Sequence, residues 1–418
     1  MPRIHLQNVG PLVDTDMINL HEINLFIGKQ STGKSTLLKI LCYCRWIEKL
    51  VATGVKINGQ SASYAYTHYY KFIKDLIDFY RFNSDYFNSS SRIFYEGETI
   101  RIEHTGGAAK NARITIINPS ARYNSKICFI PSERNLLGVV RDIQSAYLSN
   151  KRDMVFNFLF EWNEVKDNFK KENPLRLVAA PDVEYFYDQS AGGESLKIKH
   201  PHNGPIKPLS PFYASSGVQS AFPLEVMVSS ISDLVGKAAK VSQSHLAMLA
   251  LELAGNSDTS AITADAVKKV QDSLIYQSAQ FFIEEPEQNL FPDSQAAVIK
   301  LIVAAVKDAI DKKLPSGSMA VITSHSPYVL STLNTLMAAS EAYELAPDAV
   351  SDIISPRYIL PRNSYGAFYI TPEGSVTEII DREIYMIDGT KLDYASSEIE
   401  DKLSDLNDII YSHRQEDE

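Results

Sequence analysis

The sequence predicts an α/β chain built around a P-loop, and three observations carry that reading. The strand-like run Glu22-Ile23-Asn24-Leu25-Phe26-Ile27 enters the glycine turn Gly28-Lys29-Gln30-Ser31-Thr32-Gly33-Lys34-Ser35, and a helical pattern follows from Lys34 to about Lys49. Strand, G-x-x-x-x-G-K-S and helix is the context that a phosphate-cradling loop requires. The apolar run Phe281-Phe282-Ile283 reads as a buried strand and ends in Glu284-Glu285-Pro286. A third strand, Met319 to Thr323, ends in Ser324-His325-Ser326. Acids and a histidine at strand ends are placed where α/β folds gather ligands.

The remaining elements follow in chain order. Residues 3–9 alternate as a strand. Tyr64 to Phe82 is helical and rich in rings, and a stripe facing the core explains the rings better than stacked nucleobases do. From Ser91 to Ile130 the period becomes two: Ile100-Arg101-Ile102-Glu103, Arg113 to Ile117 and Lys126 to Ile130 predict an antiparallel sheet. Arg141 to Glu172 predicts a long charged helix containing Trp162. Tyr185-Phe186-Tyr187 and Leu196 to Lys199 predict a hairpin turning at Gly192-Gly193, and the Pro-rich stretch from Pro201 to Pro211 reads as a linker. About 65 residues separate Ser215-Ser216-Gly217-Val218-Gln219-Ser220 from the acid pair; their pattern (Leu246 to Leu253, then Ala261 to Gln277) predicts an inserted helical hairpin. A weak strand pair, Gly366 to Ile380, and a charged C-terminal helix complete the reading.

Composition narrows the function classes. The 418 residues are 44% hydrophobic, enough for at least one large core. A net charge of -10 argues against a dedicated nucleic-acid coat, although a local basic groove stays open. Cys42, Cys44 and Cys128 lack disulfide or zinc spacing and read as core residues. His200-Pro201-His202 looks metal-like but has no evident third ligand, so it reads as loop. The absence of a signal-peptide pattern at Met1 to Leu6, and of any apolar run of about 18 residues, leads to the expectation of a cytoplasmic protein with no membrane partner.

The P-loop chemistry is specific. Gly28 and Gly33 let the backbone curl, so that amides from Gly28 through Lys29, Gln30, Ser31, Thr32 and onward to Ser35 and Thr36 face phosphate oxygens at a helix N-terminus. Lys34 supplies a mobile charge for the β- and γ-phosphates of ATP, and Ser35 a ligand for Mg²⁺. Glu284 is expected in the Mg²⁺ shell and Glu285 as the residue that polarises the attacking water. An acidic surface loop is the bland alternative for this pair, and the P-loop argues against it. Glu287 and Asn289 follow, one of them expected in a loop that communicates between two sites. Ile130-Pro131-Ser132-Glu133-Arg134-Asn135 lies where a glutamine loop is expected, which makes Arg134 a candidate nucleotide-facing residue.

The order of P-loop, Ser-Ser-Gly-Val-Gln, Glu-Glu-Pro-Glu and late His325 resembles the ABC/SMC-like ATPases of the overcoming-lysogenization-defect (OLD) group. The resemblance covers residues 1–50 and 125–340 at the level of motifs. It implies an ABC-type P-loop ATPase with an antiparallel β subdomain and an inserted helical subdomain. Ser215, Ser216, Gly217 and Gln219 would form a signature loop contacting ATP held by a second copy, giving a head-to-tail dimer or a larger assembly. The bland alternative there is a simple N-cap with no ligand. His325 would contact the γ-phosphate. Family members usually carry Asp in place of Glu284, whose extra methylene shifts the metal contact outward.

Under this resemblance the chain divides into an ATPase lobe with the P-loop and β insertion (1–135), a helical and hairpin insertion (136–210), the signature helix with an inserted hairpin as dimer contact (211–280), the acid-pair and histidine half (281–345) and a C-terminal extension (346–418). OLD nucleases carry a TOPRIM domain after the ATPase, and the roughly 90 residues after His325 are too few for one. Stand-alone relatives resemble ATPase subunits of PARIS- and Septu-type anti-phage systems. That implies a slow regulatory ATPase that senses a phage-encoded trigger and holds a separately encoded effector such as a nuclease. The alternative is a RecF/SMC-like DNA-repair clamp; a transporter subunit fits least.

Overall fold

The computed structural model describes residues 2–57, 59–69, 71–120, 123–140, 143, 153–191, 193–200, 204–205, 208–239 and 274–390. All of the expected helical hairpin except its last residues, 274–277, lies outside these residues, as do the charged helix beyond 390, most of 141–152 and the Pro201-His202 dipeptide.

A six-stranded sheet forms the centre, in the order Ser125–Ile130, Ser278–Glu284, Met319–Ser324, Ile23–Gly28, Tyr365–Ile370 and Val376–Glu378. The first five strands run parallel and the last is antiparallel. The inner strands Ile23–Gly28, Ser278–Glu284 and Met319–Ser324 are buried at every residue, as their largely apolar sequences suit in a sheet covered on both faces.

Alternate side chains feed two cores. Ile23, Leu25, Ile27, Phe281 and Ile283 pack with the helices Met154–Val165, Ser216–Leu234, Pro292–Ile310 and Pro327–Leu345 on one face. Phe26 and Phe282 pack on the other face with the P-loop helix Lys34–Ala52. Beyond that helix lies a second, antiparallel sheet in which Arg3–Val9 pairs with Phe87–Glu96, followed by Ile100–Thr105 and Ala112–Ile116.

Two expectations are corrected here. Residues 125–130 do not extend the antiparallel sheet; they are the edge strand of the parallel one, because their apolar face meets Ser278–Glu284 in register from Ser125↔Ser278 to Ile130↔Ile283. The strand Tyr365–Ile370, read as part of an extension, lies beside the P-loop strand with Ile370 opposite Gly28, so late sequence completes the central sheet.

The ring-rich stretch forms two short helices, Ala62–His68 and Lys71–Asp78, and buries Tyr66, Phe72 and Tyr80 against Tyr43 of the P-loop helix. Tyr64 and Tyr69 of the same stretch are exposed. The three cysteines are buried and unpaired. Among the described residues, no helix is long and apolar enough to cross a membrane.

Two buried carboxylates tie distant segments together. Glu48 on the P-loop helix accepts from Arg45 Nη1 at 2.9 Å and from Thr99 N at 2.7 Å, and the Arg45 guanidinium lies 4.4 Å over the Tyr123 ring. Glu225, mid-way along helix Ser216–Leu234, accepts from Val178 N at 2.6 Å and Ala179 N at 2.9 Å. Burial pushes the Glu225 carboxyl up to about 7, against the pull of those two amides. Glu225→Ala leaves two N–H groups without their acceptor, and we expect a loss of about 2 kcal/mol, read as a lower unfolding temperature.

Candidate functional site

The site assembles at the carboxyl ends of three adjacent strands. Gly28 ends one of them, and the turn to helix Lys34–Ala52 uses positive φ at Gly28 (155°), Ser31 (64°) and Gly33 (108°). A Cβ on Gly28 would stand 2.5 Å from the Ile370 carbonyl, so only glycine fits there. Lys29, Gln30, Ser31 and Ser35 are exposed at the turn, while Thr36 is buried in the first helical turn. Thr32 Oγ1 donates to Lys29 O at 2.9 Å and closes the loop from within.

Lys34 folds back over that loop, donating from Nζ to Gly28 O at 2.8 Å and Lys29 O at 2.7 Å. Desolvation draws its ammonium down to about 8, and the carboxylates Glu285 and Glu287 oppose the fall. The pH consequence has a definite sign. A triphosphate favours the protonated lysine, so ATP affinity should be flat below pH 8 and weaken above it, by up to about tenfold per pH unit. Nucleotide titrations between pH 6.5 and 9.5 check this. Folding responds the other way: the folded value lies below the ordinary 10.5, the unfolded chain binds more protons between pH 8 and 10.5, and the Lys34 contribution to stability rises with pH in that window.

The acid pair stands two strands from the P-loop strand, across Met319–Ser324. Glu284 closes its strand opposite Thr323 and is 4% exposed. Its Oε2 accepts weakly from Ser132 N at 3.4 Å, and its Oε1 is buried with no hydrogen-bond partner. Glu285 follows in left-handed backbone (φ 42°), and its Oε1 lies 3.2 Å from His325 Nε2. The hydrogen bond from His325 holds the Glu285 carboxyl below its ordinary value, with Lys34 and Arg134 adding to the pull and partial burial opposing it. The Glu285 carboxylate therefore stays ionised at neutral pH.

Glu287 organises the histidine loop, a role that sequence reading left open. Its Oε1 accepts from Ser324 Oγ at 2.7 Å and from the His325 backbone N at 2.8 Å. Ser326 then caps helix Pro327–Leu345, accepting from Tyr328 N at 3.1 Å.

The residues fit Mg²⁺ arriving with a nucleotide. An orphaned, buried carboxylate oxygen on Glu284 and an exposed Ser35 hydroxyl at the head of the P-loop helix are hard oxygen ligands. Among the described residues no cluster of three His, Cys, Asp or Glu could hold a metal by itself, so phosphate oxygens would complete the set.

Helix Ser216–Leu234 begins one residue earlier than an N-cap at Ser216 would give: Ser215 is the cap, and its side chain makes no capping hydrogen bond. Ser215 and Ser216 are exposed, and Gly217 is half-buried beside them. Gln219 and Arg134 are corrected. The Gln219 amide is buried and donates to Pro211 O at 3.1 Å and Phe212 O at 3.2 Å, holding the loop that leads into the helix. Arg134 is fully buried, and its hydrogen bonds among the described residues go to backbone carbonyls, so both side chains turn inward instead of taking the nucleotide-facing place expected of them. Sequence reading missed the carbonyl cluster because backbone acceptors from distant segments leave no mark in side-chain spacing.

No protein-family model and no curated protein match this chain. Among solved structures, it is similar to the SMC head domain from Thermotoga maritima (9% identity, TM-score 0.37, covering 90% of this chain and 98% of that one). It is similar to an SMC head bound to the C-terminal winged-helix domain of ScpA (11%, 0.33, 79% and 90%). It is also similar to RecF, the recombination mediator protein of the RecFOR pathway, in its ATPrS form (10%, 0.29, 90% and 97%).

Proposed function

We propose that this chain binds and hydrolyses ATP as an ABC/SMC-like switch, two copies joining head to tail over shared nucleotides. One observation supports it above the others: the P-loop lysine, the orphaned Glu284 and the Glu285–His325 pair share the carboxyl edge of one parallel sheet. In this reading Lys34 moves from the loop carbonyls to the β- and γ-phosphates. Glu285 orients and polarises a water, and His325 bridges that carboxylate to the γ-phosphate. The exposed, uncapped Ser215 and Ser216 at a helix N-terminus suit phosphates supplied by a second copy.

The finer reading is that the switch holds a separately encoded effector and releases it on a phage-borne trigger. The resemblance in motif order and the net charge of -10, unfavourable to a DNA coat, support it. A RecF/SMC-like DNA clamp is the competing reading. Affinity isolation of tagged Glu285→Gln protein from its host, with mass spectrometry and a nuclease-sensitivity assay, separates the two. A stoichiometric protein with little DNA supports the effector reading; nuclease-sensitive DNA with no protein partner supports the clamp. An ATP-independent monomer overturns both.

A further inference from the structure

The Arg134 guanidinium joins segments that are far apart in sequence. Its Nη1 donates to Glu284 O at 2.9 Å and Pro131 O at 3.3 Å, and its Nη2 to Glu285 O at 2.8 Å and Pro286 O at 3.4 Å. Its Nε donates to Ser220 O, one turn into the signature helix, at 3.0 Å. A second link reaches the same residue, Asn289 Nδ2 donating to Ser220 Oγ at 2.9 Å. Between the two anchors the chain runs through Glu285 and Asn289, both in left-handed backbone (φ 42° and 61°). Asparagine tolerates this region, but glutamate does not do so readily, so the Glu285 conformation needs outside support.

A buried cation is an expensive way to satisfy carbonyls, and burial draws Arg134 down to about 10. It remains charged at neutral pH, and no neutral side chain offers five donors in one rigid fork. Only such a fork can grip the acid turn and the signature helix together.

We propose that Arg134, assisted by Asn289, is a positioning residue for hydrolysis, holding Glu285 in its left-handed conformation and tying that carboxylate to the signature helix of the same chain. This rests on the ATPase reading above. Engagement of the signature loop by nucleotide is then felt at Glu285 through the two links to Ser220.

The test is Arg134→Lys, which keeps the charge and loses the fork. We expect kcat to fall at least tenfold while the Kd for ATP stays within about threefold. In a Glu285→Gln background, Arg134→Lys should add no further loss to single-turnover hydrolysis. Asn289→Ala, at an exposed position, should give the same pattern with a smaller loss, and it carries the test if Arg134→Lys fails to fold. A full rate in the variants, a loss expressed in Kd, or additive losses in the Glu285→Gln background would each overturn the inference. Its failure is distinct from that of the ATPase reading, which falls if the wild-type protein binds no ATP or hydrolyses none.

Discussion

Glu285→Gln should bind ATP at least as tightly as the wild-type protein and lose about 10²- to 10⁴-fold in kcat. The substitution is close to isosteric, so the left-handed turn at φ 42° and the Arg134 bond to the Glu285 carbonyl are kept. What disappears is the ionised carboxylate 3.2 Å from His325 Nε2. An amide cannot polarise water as a carboxylate does, and a neutral group beside the phosphates removes a repulsion. The variant should therefore collect as an ATP-bound dimer, seen by size in sedimentation with and without nucleotide. Phosphate-release rates and nucleotide Kd measured on the same preparation separate binding from chemistry. Normal turnover would remove Glu285 from its assigned role and point to Glu287, the other carboxylate that acts on Lys34, although Glu287 is already engaged by Ser324 and the His325 backbone.

Local patterns made the strands of the candidate site readable. Ile23–Gly28, Ser278–Glu284 and Met319–Ser324 are buried throughout and largely apolar because both faces of the sheet are covered, and each ends in its chemical residue. The hairpin Val183–Asp188 with Gly193–His200 was equally plain from its alternation. Partner choice was not readable. Residues 125–130 alternate like their antiparallel neighbours upstream, yet they pair in parallel with a strand about 150 residues later, a choice settled by the apolar face of the distant strand. Tyr365–Ile370 looked peripheral because it follows the histidine loop, although the sheet needs it to flank Gly28. The side chains of Arg134 and Gln219 were assigned from motif position, which fixes the backbone's place in the site but not the side chain's direction. Both turn inward, where unpaired carbonyls demand donors.

Lys34→Ala should weaken ATP binding by at least about 10²-fold, the order of 2.7 kcal/mol or more, as expected when a charge-assisted contact to a polyanion is removed. The P-loop amides and the helix N-terminus remain in the variant, so a residual affinity carried by backbone alone is the expected floor. Two consequences distinguish lost phosphate recognition from a damaged loop. The loop is also closed by Thr32 Oγ1 to Lys29 O at 2.9 Å, so the variant should still unfold cooperatively. The decline in affinity above pH 8 should vanish with the ammonium whose value of about 8 produces it. Isothermal titration of both proteins at pH 7 and pH 9 measures the affinity and its pH slope together. Unchanged affinity at pH 7 would refute the P-loop assignment. A full loss with the pH slope retained would assign the titration to a group other than Lys34, while leaving the loop's role in binding phosphate intact.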